Sequence, residues 1–137
     1  MKDRNWGRIV FISSESGANI PAEMIHYGVT KTAQVALARG MAQTTIGTGV
    51  TVNSVLPGPT RSEGVGTFVQ QLAKERGITF DEMERVFFEE ARPSSLLKRF
   101  IQPEEVASLV AYVCSPLSAA TNGAALRVEG GVVQSIF

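Results

Sequence analysis

The chain has 137 residues, 44% of them apolar and 19% charged, and its 13 basic residues balance 13 acidic ones. That is one domain's worth of ordered, globular chain or less, and its zero net charge argues against nucleic acid as the ligand, because phosphate binding needs a positive surplus. No apolar run nears the roughly 20 residues of a membrane span, the opening Met1-Lys-Asp-Arg-Asn-Trp6 lacks the apolar core of a secretory signal, and the single Cys114 forms no internal disulfide, so a cytoplasmic protein is expected.

Met1–Gly7 is polar and reads as loop or the tail of a helix. Arg8-Ile-Val-Phe-Ile-Ser13 is a short continuous apolar run rich in β-branched residues. It reads as a parallel strand buried on both faces, although periodicity alone also admits a short buried helix. Gly17, Asn19 and Pro21 make the next stretch a loop. From Met24 to Ile46 the pattern is helical, with Val29, Ala33, Ala36, Leu37, Gly40 and Met41 on one apolar face. Val35, Arg39, Ala42 and Ile46 extend a second, and Gly47-Thr-Gly49 ends the helix. Val50-Thr-Val-Asn-Ser-Val-Leu56 is a second strand, stopped by Pro57-Gly58-Pro59. Strand, helix and strand over this distance predict a βαβ unit with a right-handed crossover.

Thr60–Gln102 is a long excursion. Val65, Phe68, Val69 and Leu72 predict a short amphipathic helix that Gly77 terminates. Thr79 with Glu82 predicts a capping box, with Met83, Val86 and Phe87 on the apolar face of the helix it starts. Insertions after the carboxyl end of a strand are often lids or substrate loops, and a helical pair that only packs is the equal alternative. Gln102-Pro103-Glu104-Glu105 starts a further helix, with proline at its first position and acids at the positive end of its dipole. Val106, Leu109, Val110 and Val113 face the core, and Pro116 ends the helix. Ala125-Leu-Arg-Val128 is a third strand, followed by Glu129-Gly130-Gly131 and an apolar tail to Phe137. Parallel strands joined by helices place the chain in the α/β class.

Chemistry concentrates where the first strand ends. Ser14 closes the apolar run, and Tyr27 and Lys31 stand four apart in the helix that follows. Residues at that spacing share a helix face with Cβ atoms about 5–6 Å apart, and an ammonium so placed favours the phenolate. His26 adjoins Tyr27 but points elsewhere, since neighbouring helical residues do not share a face. One histidine and one cysteine do not make a structural zinc site, and Ser14 and Ser16 lack the Gly-x-Ser-x-Gly of a hydrolase elbow. Glu15 reads as solvated. Arg61 reads as a surface arginine, with an anionic substrate or phosphate as the sharper alternative. Cys114 reads as a small buried hydrophobe at a helix end.

Several blocks occur in order at fitting intervals: Gly7-Arg-Ile-Val-Phe-Ile-Ser-Ser14, Tyr27-x-x-x-Lys31, and Val52-Asn53-Ser-Val-Leu-Pro57-Gly58. Arg99-Phe100 ahead of Pro103-Glu-Glu-Val106, and Asn122-Gly123 ahead of Leu126-Arg-Val-Glu-Gly130-Gly131, complete the series. On these blocks the chain resembles the short-chain dehydrogenase/reductases, NAD(P)-dependent Rossmann-fold oxidoreductases. The resemblance implies a small-molecule carbonyl or alcohol substrate and either NAD or NADP as cofactor. It makes Tyr27 the proton donor in reduction and the acceptor in oxidation, aided by Lys31, which would also hydrogen-bond the nicotinamide ribose. A cationic nicotinamide ring would add a second positive charge near the phenol. Ser14, thirteen residues before the tyrosine as in the family, would hold the substrate oxygen. Pro57 and Gly58 would border the nicotinamide, and Thr60, through its backbone, and Ser62, through its hydroxyl, would contact the carboxamide. The family more often has threonine where Ser62 stands.

The family's opening strand, its Gly-rich pyrophosphate turn, its NAD-or-NADP selector and its catalytic asparagine have no counterpart in this sequence. Residues 1–137 therefore look like a single partial domain, the carboxyl-terminal catalytic half of a doubly wound fold: strands five, six and seven with their helices. Its first strand would present an apolar open edge that invites pairing. A homo-oligomer is expected, or else a catalytically silent fragment that complements a missing half.

Overall fold

In the computed structural model, residues 1–136 are described; Phe137, where the expected apolar tail ends, lies outside the described residues. The centre of the sheet is β2, Val50–Pro57, a run of β-branched residues in which Val52 and Val55 are fully buried. It pairs in parallel with β1 (Gly7–Ile12), from Gly7↔Val50 to Ile12↔Val55, and with β3 (Ala125–Val128), from Ser54↔Ala125 to Pro57↔Val128. The order is β1-β2-β3, and α1 (Ile25–Gln43) and α4 (Pro103–Cys114) supply the connections. No helix among the described residues is long and apolar enough to cross a membrane.

Two sequence expectations give way to edge geometry and helix approach. Burial on both faces holds for β2 only. β1 is an edge strand and half-buried, with Ile12 46% exposed. In α1 the buried residues are Gly28, Ala38 and Ala42, while Val29, Ala33, Ala36, Leu37 and Gly40 of the expected inner face are exposed. Ala38 and Ala42 pack on Val52, with Ile9, Phe11 and Met41 around them. Small residues face the sheet because they let the helix backbone approach it, and the larger apolar ones are left outside. Ile46, expected on the second face, lies beyond the helix and is exposed.

Polar side chains inside the sheet carry much of its specificity. Asn53, fully buried in β2, donates from Nδ2 to the Thr121 carbonyl (2.8 Å) and accepts from Ala124 N–H at Oδ1 (3.0 Å). Asn122 Oδ1 accepts from Val52 N–H (2.8 Å). The two asparagines thus clamp the loop before β3 onto β2 and satisfy main-chain groups that burial would otherwise orphan.

The excursion folds as α2 (Glu63–Arg76) and α3 (Phe80–Glu90) around a small core of its own: Val69, Ala73, Met83, Phe88 and Phe100. Gly77 ends α2 at φ 67°, and Thr79 and Glu82 form the expected capping box. Phe88 and Phe87 sit 5.2 and 5.0 Å from the Phe100 ring. Phe88 is the buried aromatic of α3 that the sequence pattern overlooked. Phe68, expected on the inner face of α2, is 57% exposed. Where the chain returns, Thr60 and Ile101 form a parallel bridge, Ile101 N–H donates to the Pro59 carbonyl and Arg61 N–H to the Ile101 carbonyl. Arg99 then forks onto Glu105 at 2.8 Å to each oxygen, and this pairing with the Gln102 N–H bond lowers the Glu105 pKa to about 2. On α4 only Val113 is fully buried, with Val106, Leu109 and Val110 half-buried. Cys114, the next residue round the helix, is exposed rather than a core residue.

Replacing Asn53 by alanine removes both clamping bonds and leaves the Thr121 carbonyl and Ala124 N–H unsatisfied. A loss of about 2–4 kcal/mol in urea unfolding is expected; a change below about 0.5 kcal/mol contradicts the clamp.

Candidate active site

Because β1 and β2 run in parallel and in register, their carboxyl ends meet at one edge of the sheet, where open α/β sheets place their ligands. Ser13 N–H donates to the Val55 carbonyl at 2.8 Å, extending the ladder, and Ser13 Oγ donates to the Lys31 carbonyl at 2.8 Å, fastening α1 to the strand end. Ser14 is buried and extended, and its Oγ accepts the Ser16 N–H (3.1 Å), capping the 3-10 turn Glu15–Gly17. The hydroxyl proton of Ser14 is left to donate elsewhere.

Tyr27 lies half-buried in the first turn of α1. Lys31, one turn on, places Nζ 5.6 Å from the centre of the tyrosine ring and donates to the Ile12 carbonyl at 3.2 Å. Ser14 and Tyr27 line one cleft of about 520 Å³, and Pro57, Gly58, Thr60 and Ser62 line it with them. Lys31 stands behind the tyrosine rather than on the wall. The facing wall is apolar and comes from the excursion: Val65, Phe68, Val69, Phe87 and Phe100.

Local structure explains several of these residues without a ligand. A Cβ on Gly58 would lie 2.6 Å from the Glu129 carbonyl oxygen, so the close approach of β2 to the end of β3 requires glycine there. Thr60 Oγ1 donates to the Gly58 carbonyl at 2.9 Å, and Ser62 Oγ accepts from Val65 N–H at 3.4 Å as the cap of α2. Arg61 is exposed and stacks over the Phe80 ring at 4.4 Å, as a surface arginine should.

Two residues of the cleft escaped the sequence reading. Glu15, expected in solvent, is 3% exposed. Its Oε1 accepts from Arg92 Nε (3.2 Å) and from Ser16 Oγ (3.1 Å), and Arg92 Nη1 also reaches Glu23 (3.2 Å). The ion pair spans 77 positions and ties the exit of α3 to the turn that carries Ser14. An acid beside the strand-end serines and an arginine before Pro93 were the only local signals, and neither names the other. Burial raises the Glu15 pKa, with Glu129 adding to the rise, against the opposing pull of Arg92 and Ser16. Glu23 is held below the usual carboxylate range by its own N–H and by Arg92.

Comparisons with known proteins agree with the fold. The family described as Enoyl-(Acyl carrier protein) reductase matches residues 1–133. The chain is 46% identical over 137 residues to the oxidoreductase YvaG of Bacillus subtilis (strain 168), covering 100% of this chain and 52% of that protein. It is 30% identical over 133 residues to the D-beta-hydroxybutyrate dehydrogenase of Cupriavidus necator, covering 97% of this chain and 50% of the enzyme. The crystal structure of L-sorbose reductase from Gluconobacter frateurii, complexed with NADPH and L-sorbose, matches with a TM-score of 0.90 at 25% identity. The match covers 99% of this chain and 51% of the reductase. The chain thus spans about half the length of the curated relatives it matches and forms part of their fold.

The raised Glu15 pKa sets a sign for stability against pH. The folded chain holds that proton above 4.5, the ordinary glutamate value, so the Glu15 contribution declines as pH rises from 4.5 through the raised value. Relative to wild type, Glu15→Gln should lack this decline in denaturant unfolding followed across pH; parallel curves for the two proteins contradict it.

Proposed function

Because the chain belongs to the short-chain dehydrogenase/reductase family, we propose that it supplies the catalytic half of an NAD(P)-dependent oxidoreductase that interconverts a small carbonyl compound and its alcohol. The convergence of Ser14 and Tyr27 on one cleft, with the Lys31 ammonium 5.6 Å from the tyrosine ring, carries this reading. In the reducing direction the Ser14 hydroxyl donates to the carbonyl oxygen and fixes its place. The Tyr27 hydroxyl then gives that oxygen its proton as negative charge builds there, and in oxidation the same groups act in reverse. The Lys31 ammonium, 5.6 Å from the centre of the Tyr27 ring, would offset the negative charge left on the phenol as the proton leaves.

The rim suits the nicotinamide end of the cofactor: an apolar Pro57 face beside the Thr60 backbone and the Ser62 hydroxyl offers a surface for a flat ring and polar groups for its carboxamide. Pro57, Gly58, Thr60 and Ser62 would hold that ring, and Tyr27 and Lys31 its ribose. When bound, the nicotinamide exchanges a hydride with the carbonyl carbon. NAD and NADP share the nicotinamide end that this rim would meet. The lone Cys114 suits the reducing cytoplasm as the place of action.

A second reading rests on the half-length match and on the unpaired outer side of β1. In it the chain is a catalytically silent module, with β1 pairing with a second copy or with a dinucleotide-binding half, since a bare strand edge is a template for pairing.

Adding NADPH to the 137-residue chain should enhance cofactor fluorescence and raise the melting temperature. Tyr27→Phe should weaken that binding only by the one ribose contact it removes and lower ketone reduction about 10²–10⁴-fold. Absence of cofactor binding, with a dimer or larger species by light scattering, supports the silent module instead.

A further inference from the structure

The oxidoreductase reading leaves the substrate open, and the walls of the cleft narrow it. Resting on that reading, we infer that the cleft accepts uncharged carbonyl compounds with an apolar arm and turns away carboxylates. Its only cation among the described lining residues is Arg92, and that guanidinium is already shared between Glu15 and Glu23. Lys31 donates to the Ile12 carbonyl and Arg61 lies on Phe80, and neither lines the cleft, so neither presents a donor to a substrate carboxylate. Two carboxyl groups share the one guanidinium, so no positive charge is left over on the polar wall, and Glu15 Oε2 is itself buried with no hydrogen-bond partner. A substrate carboxylate would lose its hydration there and find no unpaired positive charge in return.

The facing wall asks for the opposite of charge. Phe68 is 57% exposed although Val69 beside it fills the core of the excursion, so a large aromatic ring is kept out of that core and held on the cleft. Val65 and Phe87 continue the apolar surface. A carbonyl oxygen placed at Ser14 and Tyr27 leaves one substituent of the carbonyl carbon to lie along this wall, where burial of an apolar group is favourable.

Two phenyl ketones of nearly the same shape, one neutral and one anionic, test the inference: 2-oxo-2-phenylacetamide and benzoylformate. Each is titrated into the nitrogen-15-labelled chain with NADPH present, and the amide signals of residues 13–16 and 65–69 are followed. The amide should bind about tenfold or more tightly than the carboxylate. Phe68→Ala, which removes the ring from the cleft wall, should weaken the amide about tenfold. Equal or tighter binding of benzoylformate overturns the inference by making Arg92 an anion receptor. Binding of neither ketone while NADPH still shifts Gly58 and Ser62 also overturns it and leaves the oxidoreductase reading standing. Failure of NADPH to bind as well removes both.

Discussion

In-register parallel pairing from Gly7↔Val50 to Ile12↔Val55 puts the ends of β1 and β2 at the same edge of the sheet, and each group of the cleft is placed from there. Ser13 extends the ladder by one bond through its N–H and ties α1 down through its hydroxyl on the Lys31 carbonyl, so Ser14 and Tyr27 are held relative to each other by the residue between strand and turn. Pro57 and Gly58 leave β2 at the same level. A slip of one residue in this pairing would turn every alternate side chain to the wrong face, and strand-end serine and helix-borne tyrosine would no longer share a cleft.

The residues that give the chain its family resemblance do two kinds of work. Ser14, Tyr27, Pro57, Thr60 and Ser62 line the cleft. Asn53 and Asn122 clamp a loop to the central strand, and Gly58 makes room for the Glu129 backbone. Arg99 and Phe100, met together in the sequence, divide in the same way: the arginine braces the start of α4 through Glu105, and the phenylalanine completes the core of the excursion. The Glu15–Arg92 pair adds a third kind, a buried tie between the excursion and the turn that carries Ser14. Removing one partner of such a pair leaves an uncompensated buried charge, which is why it holds the excursion in one place.

Local signals made most of the elements legible. The capping box at Thr79, the proline at the start of α4, Gly77 after α2 and the β-branched run of β2 each act within a few residues, so each can be read before the fold is known. What stayed hidden depends on partners far along the chain. The inner face of α1 is chosen by how closely a helix can approach Val52, which favours Ala38 and Ala42 over the more apolar Val29 and Leu37. The half-burial of β1 follows from its place at the sheet edge. Glu15 looked solvated because its neutralising arginine lies at the far end of the excursion, and Phe68 looked buried because helical spacing does not distinguish a core from a cleft.

A ketone labelled with carbon-13 at its carbonyl, bound to the chain, reports on the pairing of Ser14 and Tyr27 without requiring turnover. Two hydroxyl donors on one oxygen polarise the carbonyl and move its resonance downfield. The arrangement described here predicts a downfield shift in the wild-type chain that shrinks in Ser14→Ala and again in Tyr27→Phe. A resonance at the same position in all three proteins would contradict it.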